Sequence, residues 1–207
     1  MQQKKRILLL ATGGTIASRK SDNGLKPQIT PEELIEYIPQ VKEICDVEAV
    51  QLLNLDSTNM EPSHWKLMVH AIWEHYDDFD GFVIAHGTDT LAYTASLLAL
   101  ALSKVEIPVF LVSSQLPLNQ EGANGNENFR RSVELICAGI HSGVYVVYRN
   151  EDGRCFLHHG GHLVSSGDYS NDFYSRDAVC LGEVSKVMEG ECSRAAMHLN
   201  QWTEELK

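Results

Sequence analysis

Short apolar runs recur along the first three quarters of the chain, and each ends in a compact polar turn. Ile7-Leu8-Leu9-Leu10-Ala11 runs into Thr12-Gly13-Gly14-Thr15, and Val47–Leu55 into Asp56-Ser57-Thr58-Asn59. Phe82–Ala85 runs into His86-Gly87-Thr88-Asp89-Thr90, and Pro108–Val112 into Ser113-Ser114-Gln115. Val144–Tyr148 is a further run of this kind. The uninterrupted runs predict buried strands, and Val47–Leu55, broken by Glu48, Gln51 and Asn54, predicts a further strand.

The segments between them have helical spacing. From about Glu61 to Tyr76 the apolar positions are Trp65, Met68, Val69, Ile72, Trp73 and Tyr76, three and four apart. Leu91–Leu102 reads as a second helix, and a third carries Phe129, Val133, Ile136, Cys137 and Ile140 on one face. Thr30-Pro31-Glu32-Glu33 has the form of a capping box opening a short helix that ends before Pro39. Glu151-Asp152-Gly153-Arg154 predicts a hairpin turn into Cys155-Phe156-Leu157. The polar stretch Ser18–Pro27 reads as an exposed loop, either a lid or a plain connection. From about Ser166 the pattern weakens, and Cys192–Lys207 has helical composition with few apolar anchors.

Strands alternating with helices imply an α/β domain with three layers and a mostly parallel sheet. At 207 residues the chain is read as one domain over 1–207, with no internal boundary. In such sheets ligands bind beyond the strand ends, so the polar turns are the place to look for chemistry.

Charge and cysteine usage narrow the classes. A net charge of −11 argues against nucleic acid or an anionic membrane as partner. Met1–Arg6 before Ile7–Ala11 has the outline of a leader, but the apolar run is short and Gly13-Gly14 breaks it. The cysteines, Cys45, Cys137, Cys155, Cys180 and Cys192, are odd in number and form no CxxC pair, which fits reduced thiols and a cytoplasmic setting.

Each turn has more than one reading. Thr12-Gly13-Gly14-Thr15 suits a helix cap, a phosphate cradle without the usual lysine or glycine spacing, or a nucleophilic threonine beside an oxyanion-binding backbone. A threonine hydroxyl needs a base or proton relay. Thr88 and Asp89, at the end of another buried strand, offer a second hydroxyl and a carboxylate. Asp56-Ser57-Thr58 suits either a small zwitterion or the cap of the Glu61 helix, and Ser114 lies at a further strand end. His86 is expected to pack or hydrogen-bond at its strand end. His158-His159-Gly160-Gly161-His162, with Asp168 nearby, lacks a standard metal-ligand spacing and reads as a solvated loop. No metal or cofactor is expected.

Together, Ala11-Thr12-Gly13-Gly14-Thr15-Ile16-Ala17, Asp56-Ser57, Gly81–Ala95 and Pro108–Pro117 resemble the bacterial-type L-asparaginase family. Tyr76–Phe82 leading into His86-Gly87-Thr88-Asp89-Thr90 is similar to its cytosolic type I branch. The resemblance covers residues 6–150, with 151–207 divergent. It implies a flavodoxin-like domain that hydrolyses L-asparagine to L-aspartate and ammonia without metal or cofactor. By position Thr15 resembles the nucleophile that forms an acyl-enzyme, Thr88 the threonine that handles the water, and Asp89 the ligand of the substrate ammonium. Ser57 resembles the carboxylate ligand, with Asp56 and Thr58 beside it. Gly14, Gly87 and Ser114 complete the expected substrate-binding set. Backbone amides near Thr15 and Thr88 would serve the oxyanion.

The chain departs from that family in three ways. Leu25 stands where the lid carries a tyrosine, with Tyr169 and Tyr174 as substitutes that lack positional support. The family's lysine has no counterpart, since no lysine lies between Lys104 and Lys186; Ser165, Ser166 or a histidine occupies that region. The second, smaller domain is missing, so the chain is a natural single-domain form, a fragment or a truncated product. The resemblance then implies a homo-oligomer, dimer or tetramer, that closes its site with another subunit. The rivals are an impaired asparaginase-like binding domain and an amidase for another small amide such as glutamine.

Overall fold

The computed structural model describes residues 4–21, 24–27, 29–165, 170–176 and 180–189, with backbone alone for 18–21 and 24–27. Leu25's side chain, Ser166, Asp168, Tyr169 and the closing segment Cys192–Lys207 therefore lie outside the described residues.

Five strands form the parallel body of the sheet: β1 (Lys5–Gly13), β4 (Cys45–Leu55), β5 (Gly81–Ala85), β6 (Pro108–Val112) and β7 (Gly143–Arg149). The polar stretch after β1 folds back as an antiparallel ribbon of β2 (Ser18–Ser21) and β3 (Gly24–Pro27). The sequence predicts an exposed loop there, a lid or a plain connection, and no strand. Backbone pairing alone makes this ribbon, and its polar sequence has no apolar alternation to betray it. At the other side β8 (Cys155–His159) extends the sheet antiparallel to β7, and β11 (Cys180–Glu183) pairs antiparallel to β8. Short β9 (Leu163–Val164) and β10 (Tyr174–Ser175) pair separately.

The seven-stranded sheet has the order β11-β8-β7-β6-β5-β1-β4. Taking its parallel strands in chain order, the arrangement is 2-1-3-4-5, that of a flavodoxin-like fold. The direction of winding therefore reverses between β1 and β5, and a crevice opens at their carboxyl ends.

Alternation along each strand builds two cores. Ile7, Leu9, Val83, Phe110 and Val147 face α1 (Pro31–Glu36), α2 (Val41–Ile44) and α5 (Gly125–Cys137), where Leu34, Phe129, Val133 and Ile136 meet them. Leu8, Leu10, Phe82, Ile84 and Val146 face α3 (Pro62–Glu74) and α4 (Leu91–Ala101), meeting Met68, Ile72, Leu91, Ala95 and Leu98. Both faces of the sheet are thus covered, and each fully buried aliphatic side chain contributes about 1.5–3 kcal/mol.

Local signals fix the helix starts. Thr30 and Glu33 form the reciprocal capping box of α1. Glu61 and His64 do the same for α3, with Pro62 in its first turn. Asp56 does not cap α3; its carboxylate accepts from Thr58 N at 2.9 Å and closes the separate 3-10 turn Ser57–Asn59. The sequence Glu151–Arg154 makes the expected hairpin, with Arg149 opposite Cys155. The last element among the described residues is α6 (Val184–Met188). Among the described residues no helix is long and apolar enough to cross a membrane.

Candidate active site

Three turns meet at the β1/β5 crevice. Register brings them there: Ala11 of β1 lies opposite Ala85 of β5, and Gly13 opposite Leu55 of β4. Each strand therefore ends at nearly the same level.

In the first turn the two threonines of Thr12-Gly13-Gly14-Thr15 do different work. Thr12 is buried, and its hydroxyl donates to Ala85 O at 2.8 Å, tying the end of β1 to the end of β5. Gly13 and Gly14 both take positive φ, 104° and 76°. A Cβ on Gly14 would lie 2.5 Å from the Gly87 backbone, so two glycines are what allow the first and third turns to touch. Gly14 N donates to Leu55 O at 3.0 Å, adding the end of β4. Thr15 follows, half-buried, at the head of the 3-10 turn Thr15–Ala17.

The second turn presents Ser57. It is 2% exposed, and its hydroxyl donates to Asp89 Oδ2 at 3.2 Å. Asp56 and Thr58 are exposed and engaged with each other, Thr58 Oγ1 donating to Asp56 Oδ1 at 2.9 Å.

The third turn is held against the second at two points. A Cβ on Gly87 would come within 2.4 Å of Ser57 Oγ, and Thr90 Oγ1 donates to Ser57 O at 3.0 Å. Thr88 is half-buried and Asp89 exposed. His86 N donates to Val112 O at 2.9 Å, which continues the β5/β6 ladder and fixes the turn's base. The His86 side chain is fully buried, with Nδ1 2.7 Å from Gly87 O and Nε2 3.0 Å from Thr94 Oγ1. Trp65 Nε1 donates to the same Thr94 oxygen at 2.9 Å. Burial lowers the His86 pKa to about 4, against the smaller opposing pull of the Gly87 carbonyl and Asp89.

The structure thus brings together Gly14, Ser57, Gly87 and Asp89, with Thr15 and Thr88 on the turns that carry the two glycines. Ser114 stands apart. Its hydroxyl bonds Leu116 O and accepts from Gly125 N at 3.1 Å, so it organises the start of α5. Thr12, Thr90, Thr94 and Trp65 escaped the sequence reading. Thr90 had a visible signal, as the third hydroxyl position in the motif. Thr94 had a weaker one, a polar residue on the apolar inner face of α4.

Of the substitutes considered for the lid tyrosine and the lysine, Tyr169 and Ser166 lie outside the described residues. Tyr174 OH donates to Asp172 Oδ2 at 3.2 Å on the strand β10, which pairs with β9. Ser165 is exposed after β9. The histidine cluster is not a solvated loop. His158 and His159 close β8, and His158 is 2% exposed, with Nδ1 2.8 Å from Ser175 Oγ. Burial lowers its pKa to about 4. Among the described residues no group of three or more His, Cys, Asp or Glu side chains is placed to hold a metal.

The family profile described as "Asparaginase, N-terminal" matches residues 6–193. The L-asparaginase of Thermococcus kodakarensis is 36% identical over 147 residues, covering 70% of this chain and 44% of that protein. A subunit of the glutamyl-tRNA(Gln) amidotransferase of Methanococcus maripaludis is 37% identical over 161 residues, covering 75% of this chain and 38% of that protein. Among solved structures, L-asparaginase I from Vibrio cholerae superposes with a TM-score of 0.74 at 31% identity, covering 87% of this chain and 54% of that one. A probable cytoplasmic L-asparaginase from Campylobacter jejuni gives 0.72 at 31% identity, with the same shares covered. The chain thus spans about half the length of the proteins it matches.

Proposed function

The chain belongs to the asparaginase family by its N-terminal domain, and from that premise we propose that it hydrolyses L-asparagine to L-aspartate and ammonia. The observation that carries this reading is the meeting of three hydroxyl-bearing turns, sealed by the Gly14–Gly87 contact and the Ser57–Asp89 hydrogen bond.

In this reading Thr15 Oγ attacks the side-chain amide carbon. The C–N bond breaks, the hydroxyl proton leaves with the nitrogen, and ammonia departs from an aspartyl ester. Water, positioned by Thr88, then attacks the ester carbon, restoring the Thr15 hydroxyl and releasing aspartate. Asp89 holds the substrate ammonium and Ser57 its carboxylate, with Asp56 and Thr58 at the rim. Amides at Thr15 and Thr88 stabilise the oxyanion, the kind of pre-set donor that gives acyl transfer much of its rate. No step calls on a metal or cofactor.

A second reading, hydrolysis of glutamine, is favoured by the likeness to the amidotransferase protein. The homo-oligomer is favoured by α4, which has no charged residue yet exposes Tyr93 and Leu100, an uncharged face on a chain of net charge −11. A cytoplasmic setting is favoured by the likeness to the Campylobacter protein and by free Cys45, Cys137, Cys155 and Cys180.

The test is ammonia release from L-asparagine and L-glutamine by the purified chain, beside Thr15→Ala and Thr88→Ala. Preferential turnover of asparagine, lost in both variants, supports the first reading. Preferential turnover of glutamine supports the second. A folded chain with no release above the variants' background overturns both.

A further inference from the structure

His86 is fully buried one residue before the contact between the first and third turns, and both of its ring nitrogens are engaged. Chemistry fixes the roles. Gly87 O can only accept, so Nδ1 carries a proton and donates to it. The buried ring is neutral near pH 7, which leaves Nε2 bare. The Thr94 hydroxyl therefore donates to Nε2 while accepting from the Trp65 indole. The series Trp65 N–H, Thr94 O–H, His86 ring, Gly87 O has one consistent direction, and it runs from α3 through α4 into the turn.

A trans peptide points its C=O and N–H in opposite directions. With Gly87 O drawn toward the imidazole, the N–H of Thr88 faces away from it. Among the described residues that N–H meets no protein acceptor.

We propose that His86 is a positioning residue, locked by Thr94 and Trp65 in the tautomer that turns the Gly87–Thr88 peptide so that the Thr88 N–H faces the oxyanion of the reacting amide. This rests on the amidohydrolase reading above and adds to it the device that aims one of its donors. Helix packing in the α3/α4 layer then sets the orientation of a group in the crevice. A ring that only filled space would be indifferent to which nitrogen carries the proton.

The experiment has two readouts on the full chain. Long-range proton–nitrogen NMR correlation assigns the His86 tautomer between pH 6 and 8. Steady-state kinetics then compare wild type with Thr94→Val, which keeps the shape of the side chain but removes the hydroxyl, and with His86→Asn and His86→Leu. The inference expects protonated Nδ1 and bare Nε2, and a kcat in Thr94→Val roughly ten-fold lower with KM nearly unchanged, a fraction of the loss of a whole oxyanion donor. His86→Asn, which can still donate to Gly87 O, retains more activity than His86→Leu. A proton on Nε2, or an imidazolium, overturns the inference, as does an unchanged kcat in Thr94→Val. A wild-type chain that releases no ammonia from either amide fails at the earlier reading and takes this inference down with it, an outcome the variants are not needed to recognise.

Discussion

Two buried histidines sit at different parts of the same sheet, and they are alike by every simple measure. His86 closes β5 in the parallel body; His158 lies in β8 at the antiparallel edge. Both are almost fully buried, and burial lowers both to a pKa of about 4. Their surroundings differ. Both nitrogens of His86 have partners, and the next residue touches two other turns. His158 has Ser175 Oγ at 2.8 Å on Nδ1, while its Nε2 has no hydrogen-bond partner among the described residues. A shifted pKa and deep burial therefore do not mark a site by themselves. Convergence of separate chain segments on one point does.

The largest expected effect that breaks the likeness comes from adding a methyl group. Gly14→Ala places a Cβ 2.5 Å from backbone atoms of Gly87 at a positive φ. It should cost about 4 kcal/mol in urea unfolding or leave a folded chain with the turns parted and no turnover. Gly153→Ala, at the β7/β8 hairpin, also meets a positive φ but nothing within 4 Å. Its cost should stay near 1 kcal/mol, with activity intact. Equal costs would mean that the turn contact is not tight.

Acid should act on both histidines alike. Unfolded imidazoles take up protons near pH 6.5, the folded ones only near 4. Their contribution is complete above pH 6.5, declines as the pH falls, and levels off below 4. At pH 5 each accounts for about 2 kcal/mol of lost stability, measurable as a falling urea midpoint. His158→Phe should remove about half of that slope and leave kcat at neutral pH unchanged. A slope unaffected by that substitution would place the acid sensitivity elsewhere.

The smallest expected effect concerns substrate holding. Ser57→Ala removes the 3.2 Å bond to the exposed Asp89 and the proposed carboxylate ligand. KM should rise about five- to ten-fold, the scale of a single hydrogen bond, with kcat changed less. A fall in kcat at constant KM would reassign Ser57 to the chemical step.

Much of this was readable in the chain. Strands buried on both faces must be apolar throughout, so β1, β5, β6 and β7 stood out as runs, and the turns at their ends stood out by contrast. Gly14, Ser57, Gly87 and Asp89 were legible because glycine and short polar residues are unusual together at a buried strand end. What escaped was whatever depends on a partner distant in sequence. Thr12 looked like Thr15 until its hydroxyl met Ala85 O. Ser114 gave no local sign of its bond to Gly125 N, eleven residues on. The Thr94 and Trp65 link to His86 joins three elements, and no local pattern announces it. The outermost strand was hidden for a similar reason: β11 is short, and it is a strand only because β8 lies beside it.

The measurement that bears most directly on the central claim is intact-mass and peptide analysis of the chain quenched in acid during exposure to L-asparagine, in wild type and in Thr88→Ala. The account predicts an aspartyl ester on the peptide containing Thr15, more abundant in Thr88→Ala, where the water step is impaired, and absent from Thr15→Ala. Turnover without any adduct in either protein, or an adduct on Thr12 or Thr88, would contradict it.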